Sequence, residues 1–194
     1  VMEGCDMFCS FCIVPRTRGR EISRPADGIL AEARALVAGG ACELTLLGQT
    51  VNAYGRHDRR RRESGRTGGG DPGAAMTIGF ADLLHDLARI PGLRRIRYTS
   101  PHPSFFDTAL VRAHAEIEAL CPHVHLPVQS GSDAVLAHMR RRYTRRDFLA
   151  SVEALRAARP ELVLTTDLIV GFPGETDRDF CETLSLVREV GFVD

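Results

Sequence analysis

Three cysteines crowd into eight residues, with Cys5, Cys9 and Cys12 in the spacing C-x3-C-x2-C. Thiolates are soft ligands suited to iron–sulfur clusters, and a single loop delivers all three. The next cysteine, Cys42, lies far downstream. A three-ligand set leaves one metal position open, the mark of a catalytic centre rather than a sealed one. An open iron can chelate a small substrate. The alternative is structural zinc, which takes four ligands, usually in pairs. Cys42 or His57 would have to complete that site, and neither has a paired partner at suitable spacing. Cys42, Cys121 and Cys181 read as small buried hydrophobes.

Apolar periodicity supplies the elements that position this loop. Runs at 43–47, 95–99, 123–128 and 162–170 read as strands, with a short one before Cys5. Helical patterns fall between them. One starts near Pro25 with Ser23 as N-cap and ends at Gly39-Gly40; others cover 80–88 and 106–119. Capping boxes at Thr144–Asp147 and Thr176–Asp179 open two more. Strand–helix alternation implies parallel strands with right-handed crossovers, as an α/β barrel or an open doubly wound sheet. Every chemically distinctive segment follows a strand: the Cys loop, 48–52, 100–103, 129–132 and 171–175. A barrel gathers all such loops on one rim, whereas an open sheet gathers only those at its switch point. The expected fold is therefore a partial, TIM-like (β/α)6 barrel. Residues 56–75 break the pattern with an Arg- and Gly-rich insertion, read as a solvated variable loop or a phosphate contact.

Composition narrows the class. The chain has 194 residues, with 25 basic and 25 acidic side chains and no net charge, and all of its basic residues are Arg. Hydrophobic residues make up 44%, which excludes disorder for most of the chain. There is no apolar run of about 18 residues, so no transmembrane helix is expected. Neutrality argues against a chain-wide nucleic-acid footprint. Clustered rather than evenly spaced cysteines, with no secretion signal, point to a reducing cytoplasm. The chain opens on its chemical motif and stops at Gly191-Phe192-Val193-Asp194, where a strand is starting. A central piece of a longer protein is expected.

The Cys motif, with Phe11 directly before the last cysteine, resembles the radical S-adenosylmethionine (radical SAM) superfamily. Longer segments are similar to its methylthiotransferase family: Glu3-Gly4-Cys5, Val14–Arg20, Ser23-Arg24-Pro25, His125–Ser132 and Asp167–Thr176. Leu46–Gly55 and Thr99–Pro103 resemble the branch acting on isopentenylated adenosine in tRNA. Thr50 stands where that branch commonly has Asn. The resemblance spans the chain except 56–75.

The resemblance implies a four-iron four-sulfur cluster on Cys5, Cys9 and Cys12, with SAM chelating the fourth iron. One electron then cleaves SAM to a 5′-deoxyadenosyl radical, and C2 of the adenine receives a methylthio group. It implies Phe11, Gln129, Ser130, Ser132, Asp167 and Gly171 as cofactor-binding residues. Gln49, Asn52, His102 and Arg18 are the substrate-side candidates. Plainer readings stand beside these. Ser132 can be a helix N-cap, Gly171 ordinary turn chemistry, His102 a surface residue in a rigid turn, and Arg140–Arg146 a solvated face. Asp167, in an apolar strand run, is expected to be buried and paired. Family members carry an N-terminal domain with a second, auxiliary four-iron cluster and a C-terminal RNA-binding TRAM domain, neither of which is in these residues. The implied partners are tRNA, a flavodoxin- or ferredoxin-like electron donor and a sulfur source, with no membrane. The rivals are a sister branch acting on threonylcarbamoyl-adenosine or a ribosomal protein, a non-catalytic iron–sulfur electron carrier, and a zinc-stabilised RNA-binding module. A carrier would normally close its cluster with a fourth Cys.

Overall fold

The computed structural model describes residues 1–56 and 78–194. Apart from Arg56, the 56–75 insertion and His57 lie outside the described residues.

Six short strands pair two by two, and single backbone bonds link the pairs in chain order. Strand β1 (Met2–Glu3) pairs antiparallel with β2 (Ile22–Ser23), and the N-terminal amine of Val1 donates to Leu47 O at 2.9 Å. Leu47 directly follows β3 (Glu43–Leu46), which pairs in parallel with β4 (Arg95–Tyr98) from Glu43↔Arg95 to Leu46↔Tyr98. A parallel bridge, Ile96↔Leu120, continues to the segment that leads into β5 (His123–His125). Strand β5 pairs in parallel with β6 (Val163–Thr165). The chain end follows suit: Val193 N donates to Leu164 O, and Thr166 N to Asp194 O. Neighbours in space are neighbours in sequence, without the reversal of order that defines a doubly wound sheet. This is the order of a barrel.

Helices cover the outer face. They are α1 (Val14–Thr17) in the Cys loop, α2 (Ala26–Ala38), α3 (Phe80–Ala88), α4 (Thr108–Glu116), α5 (Asp133–His138), α6 (Arg145–Ala158) and α7 (Asp177–Val190). Alternation along each strand separates the two faces. Leu46, Ile96, Tyr98, Val124 and Leu164 turn outward into a core with Leu30, Leu83, Leu84, Leu87, Leu110, Phe148, Leu155 and Leu186. The concave face carries polar side chains. Glu43 accepts from Arg95 and Arg97, and His125 bonds Thr165 and Asp167.

The capping boxes at Thr144 and Thr176 form as the sequence predicts. Three sequence expectations need correction. Ser23 does not cap α2: Pro25 holds the N-cap position, while Ser23 lies in β2 and accepts from Gly55 N at 3.0 Å. The predicted 106–119 helix is shorter, because Asp107 caps it by accepting from Leu110 N. Of the three scattered cysteines only Cys121 is buried, and Cys42 and Cys181 are exposed.

Candidate metal centre

The Cys loop is held shut at its base. Strands β1 and β2 pair across it, Cys5 N donates to Gly19 O at 3.2 Å, and Arg20 bonds Asp6 at 2.8 Å. Gly4 has φ +72°, and a Cβ there would sit 2.1 Å from Arg20 O. Only glycine allows this crossing immediately before the first cysteine. Further out, the loop is fastened to the turn after α5. Ser10 N donates to Met139 O at 3.1 Å and Ser10 Oγ to His138 O at 2.9 Å.

All three thiols are free and half-buried. No three His, Cys, Asp or Glu side chains among the described residues converge on a single ion position. A four-iron cluster needs no such convergence, since each thiolate binds a different iron. Two of the sulfurs have polar partners. The buried Thr50 hydroxyl lies 3.2 Å from Cys5 Sγ, and Arg141 Nη1 donates to Cys9 Sγ at 3.4 Å. Beside Cys9 and Cys12 lies an open cavity of about 470 Å³ lined by Phe8, Cys9, Phe11, Cys12, Arg16 and Arg140, among others. Soft ligands, polar partners on Cys5 and Cys9, and open space beside Cys9 and Cys12 fit a negatively charged cluster that takes a small ligand on its open side. Burial pushes the Cys5 thiol up, against the opposing Thr50 hydrogen bond. Its deprotonation therefore accompanies metal binding.

The other rim loops converge as the barrel expectation requires. Val51 N donates to Ser100 O at 3.3 Å, Ser104 Oγ to Arg142 O at 3.3 Å, and Gln129 bridges Leu168. The four non-glycine residues with positive φ among the described residues, namely Phe8, Ser100, Gln129 and Arg140, lie in these loops. Backbone strain of this kind persists only where surrounding structure fixes it, and it gathers at functional sites.

The candidate residues divide by what they touch. Phe11 is exposed beside Cys12, in the cavity wall. Gln129 adopts φ +72°, with its backbone paired to 167 and 169. Ser130 is fully buried against Thr183, and Gly131 N donates to the same hydroxyl. Ser132 caps α5 and also donates to Asp179, joining the loop to α7. Gly171 has φ +75°, and Glu175 accepts from its N–H and from that of Phe172. Gln49 and Arg18 are exposed. Asn52 is buried, with its amide clamping the His102 backbone in both directions, at 2.8 and 3.0 Å.

Two expectations about environment are overturned. Asp167 is not buried: its side chain is 65% exposed and pairs with His125 at 3.2 Å. His102 is not a surface residue but 5% exposed, packed against Phe105 and Tyr143. Its Nδ1 accepts from Ser104 N. Burial, with Arg141 and Arg142 nearby, pushes its pKa down to about 2. His114, bonded to the Tyr98 hydroxyl at 2.6 Å, is pushed down by burial to about 4. Both rings fold neutral. An unfolded chain protonates its histidines below about pH 6.5, so this stability is full above that pH. It is lost as pH falls toward 4 for His114 and toward 2 for His102. Urea unfolding between pH 6.5 and 5 is expected to show a loss of ~1 kcal/mol per pH unit for each ring. His114→Gln is expected to flatten the slope; an unchanged slope contradicts the assignment.

Arg141 was hidden from sequence reasoning by the run Arg140–Arg146. The signal was the alternation Met139, Arg141, Tyr143, which puts alternate residues of the turn inward; Met139 and Tyr143 are buried and Arg141 half-buried.

Comparison with known proteins shows what the chain resembles. The family model for the Radical SAM superfamily matches residues 1–187. A tRNA-2-methylthio-N(6)-dimethylallyladenosine synthase of Geobacter metallireducens is 52% identical over 194 residues, 100% of this chain and 40% of that protein. Its namesake in Sorangium cellulosum is 56% identical over 193 residues, 99% of this chain and 38% of that protein. The chain thus spans about two fifths of these curated relatives. Among solved structures, the radical S-adenosylmethionine methyltransferase TsrM from Kitasatospora setae, with cobalamin and a [4Fe-4S] cluster bound, superposes with a TM-score of 0.68 at 20% identity. It covers 98% of this chain and 34% of its own. The cobalamin-dependent radical enzyme OxsB gives a TM-score of 0.67 at 12% identity, over 96% of this chain and 25% of its own. At such identities the likeness is one of fold.

Proposed function

The chain belongs to the radical SAM superfamily, and from that membership we propose that it is the cluster- and SAM-binding core of a tRNA methylthiotransferase acting at C2 of N6-isopentenyladenosine. The observation that carries this reading is the single loop presenting Cys5, Cys9 and Cys12 as free thiols, with Thr50 on Cys5, Arg141 on Cys9 and an open cavity beside Cys9 and Cys12. The substrate assignment rests on relatives at 52 and 56% identity over nearly the whole chain, whose name states that product.

Cys5, Cys9 and Cys12 would hold a [4Fe-4S] cluster, which when bound supplies the electron for reductive cleavage of SAM. The protein's own part is positioning and exclusion of water. Phe8, Phe11 and Ile13 form an apolar wall beside the cysteines. Gln129 and Gly171 bring backbone in left-handed conformation to the rim, where peptide groups can approach a nucleoside closely. Ser130 and Ser132 hold that loop against α7. Asn52 fixes His102 and so joins the second and third rim loops. Gln49 and Arg18 face solvent and are free to meet the RNA side. The auxiliary cluster, a TRAM domain, the electron donor and the sulfur source belong to the same proposal, as does a cytoplasmic place of work. No helix among the described residues is long and apolar enough to cross a membrane.

Nucleoside mass spectrometry of tRNA from cells lacking the gene tests the substrate. Isopentenyladenosine is expected to accumulate and its methylthio derivative to disappear. Undiminished methylthiolation contradicts the assignment.

A further inference from the structure

Arg141 is a half-buried cation without a carboxylate partner among the described residues. Its guanidinium is locked from three sides. Nε donates to Tyr143 Oη at 3.1 Å, Nη2 to Pro127 O at 3.2 Å, and Nη1 to Cys9 Sγ at 3.4 Å. Tyr143 is itself fixed, donating to Val128 O at 2.6 Å. Guanidinium does not lose its proton in proteins. A charge withdrawn from water needs compensation; burial holds the Tyr143 phenol neutral, while the Cys9 sulfur becomes negative when it binds metal.

Thr50 repeats the arrangement at Cys5. Its hydroxyl is buried, and its hydrogen-bond partner among the described residues is Cys5 Sγ at 3.2 Å. A thiolate carries no proton, so with metal bound the hydroxyl donates. Two of the three ligand sulfurs thus receive a side-chain donor. For Cys12 the structure shows no side-chain donor among the described residues, only its N–H donating to Cys9 O.

We propose that Arg141, together with Thr50, is a positioning residue that sets the reduction potential of the cluster by donating to the Cys9 and Cys5 thiolates. The proposal rests on the assignment of Cys5, Cys9 and Cys12 as cluster ligands. Hydrogen bonds to cluster sulfurs and local charge are the levers by which a protein tunes such a potential. One-electron reduction adds negative charge, which a fixed cation and two donors stabilise. Both residues therefore raise the midpoint, making the cluster easier to reduce. Arg141 also bonds the Pro127 carbonyl just after β5, so the potential depends on that segment keeping its place.

The test uses the chain reconstituted anaerobically with iron and sulfide, without SAM. Iron and sulfide content are measured, and the midpoint is read by a mediated titration followed by electron paramagnetic resonance. Arg141→Met is expected to keep its cluster while the equilibrium constant for reduction falls at least tenfold, about 59 mV toward the negative for one electron. Arg141→Lys, which keeps the charge, is expected to recover part of that shift. Thr50→Val is expected to shift the midpoint in the same direction by less. A loaded Arg141→Met chain with an unchanged midpoint overturns the proposal. If Arg141→Met loads no cluster, unchanged midpoints in both Arg141→Lys and Thr50→Val overturn it. Cys9→Ala keeps the two readings apart. A Cys9→Ala chain that binds as much iron and sulfide as the unsubstituted chain refutes the ligand assignment itself.

Discussion

Cys9→Ala is expected to abolish cluster assembly, reducing bound iron and sulfide to the background of a chain without the motif. Cys9 sits between the other two proposed ligands and receives Arg141. Ala removes one of three thiolates and leaves two, while Arg141 keeps its bonds to Tyr143 and the Pro127 carbonyl. The fold should tolerate the change. Cys9 is half-buried in a loop fastened elsewhere, by the β1–β2 pair and by Ser10 on Met139 and His138. The expected stability loss is therefore small, under about 1 kcal/mol as for surface-proximal substitutions. Visible absorption after reconstitution, with thermal unfolding as the control, reads both quantities. Full iron–sulfur loading would contradict the ligand assignment, and loss of folding would mean that the thiol is structural.

The second large effect is expected at a residue with no chemistry of its own. Gly4→Ala places a Cβ 2.1 Å from Arg20 O, 2.5 Å from Arg20 C and 2.8 Å from Gly19 O, at φ +72°. Those neighbours are backbone and cannot rotate away. A left-handed L-residue costs about 1–2 kcal/mol, and overpacking typically adds another 1–3 kcal/mol. The expected loss is ~3 kcal/mol, a large share of a domain's stability. The chain can relieve it only by separating residues 4 and 5 from 19 and 20, which breaks Cys5 N–Gly19 O and displaces the first ligand. Urea unfolding together with iron content checks this: both should fall. Gly19→Ala is the comparison. Gly19 also has positive φ, but its added Cβ meets nothing within 4 Å, so it should show only the smaller backbone cost. Equal effects at the two positions would contradict the crossing.

Much of the fold was legible because the strands keep their period. Outward residues such as Ile96, Tyr98 and Leu164 alternate with polar inward ones, and Thr144 and Thr176 announce their helices three residues ahead of Asp147 and Asp179. The β1–β2 pair was not legible. Two-residue strands carry no periodicity, and Ile22 lies 68% exposed. Ser23 looked like a cap because its type suits one, yet its hydroxyl is taken by Gly55 across the sequence. Burial of single polar residues was the weakest inference. Asp167 sits among apolar neighbours in sequence but faces the open concave side, while His102 between two prolines is enclosed by the aromatic rings of Phe105 and Tyr143. Both depend on which face of a curved sheet closes over, which is a long-range property.

The loop carrying the three cysteines was plain from spacing alone. The residues that support it were not. Thr50 stood out only as a departure from its branch, and Arg141 was lost among its neighbours. Each acts through one atom on one sulfur, at separations of 45 and 132 residues, and no local pattern encodes such a contact.

The central claim is that this rim binds a cluster with one open iron and uses it on SAM. Its most direct test is to reconstitute the chain anaerobically, reduce it with dithionite in the presence of SAM, and measure 5′-deoxyadenosine and methionine by liquid chromatography. The account predicts both products in equal amounts, and neither from the Cys9→Ala chain. A fully loaded cluster that leaves SAM intact, or zinc bound stably in place of iron, would contradict it.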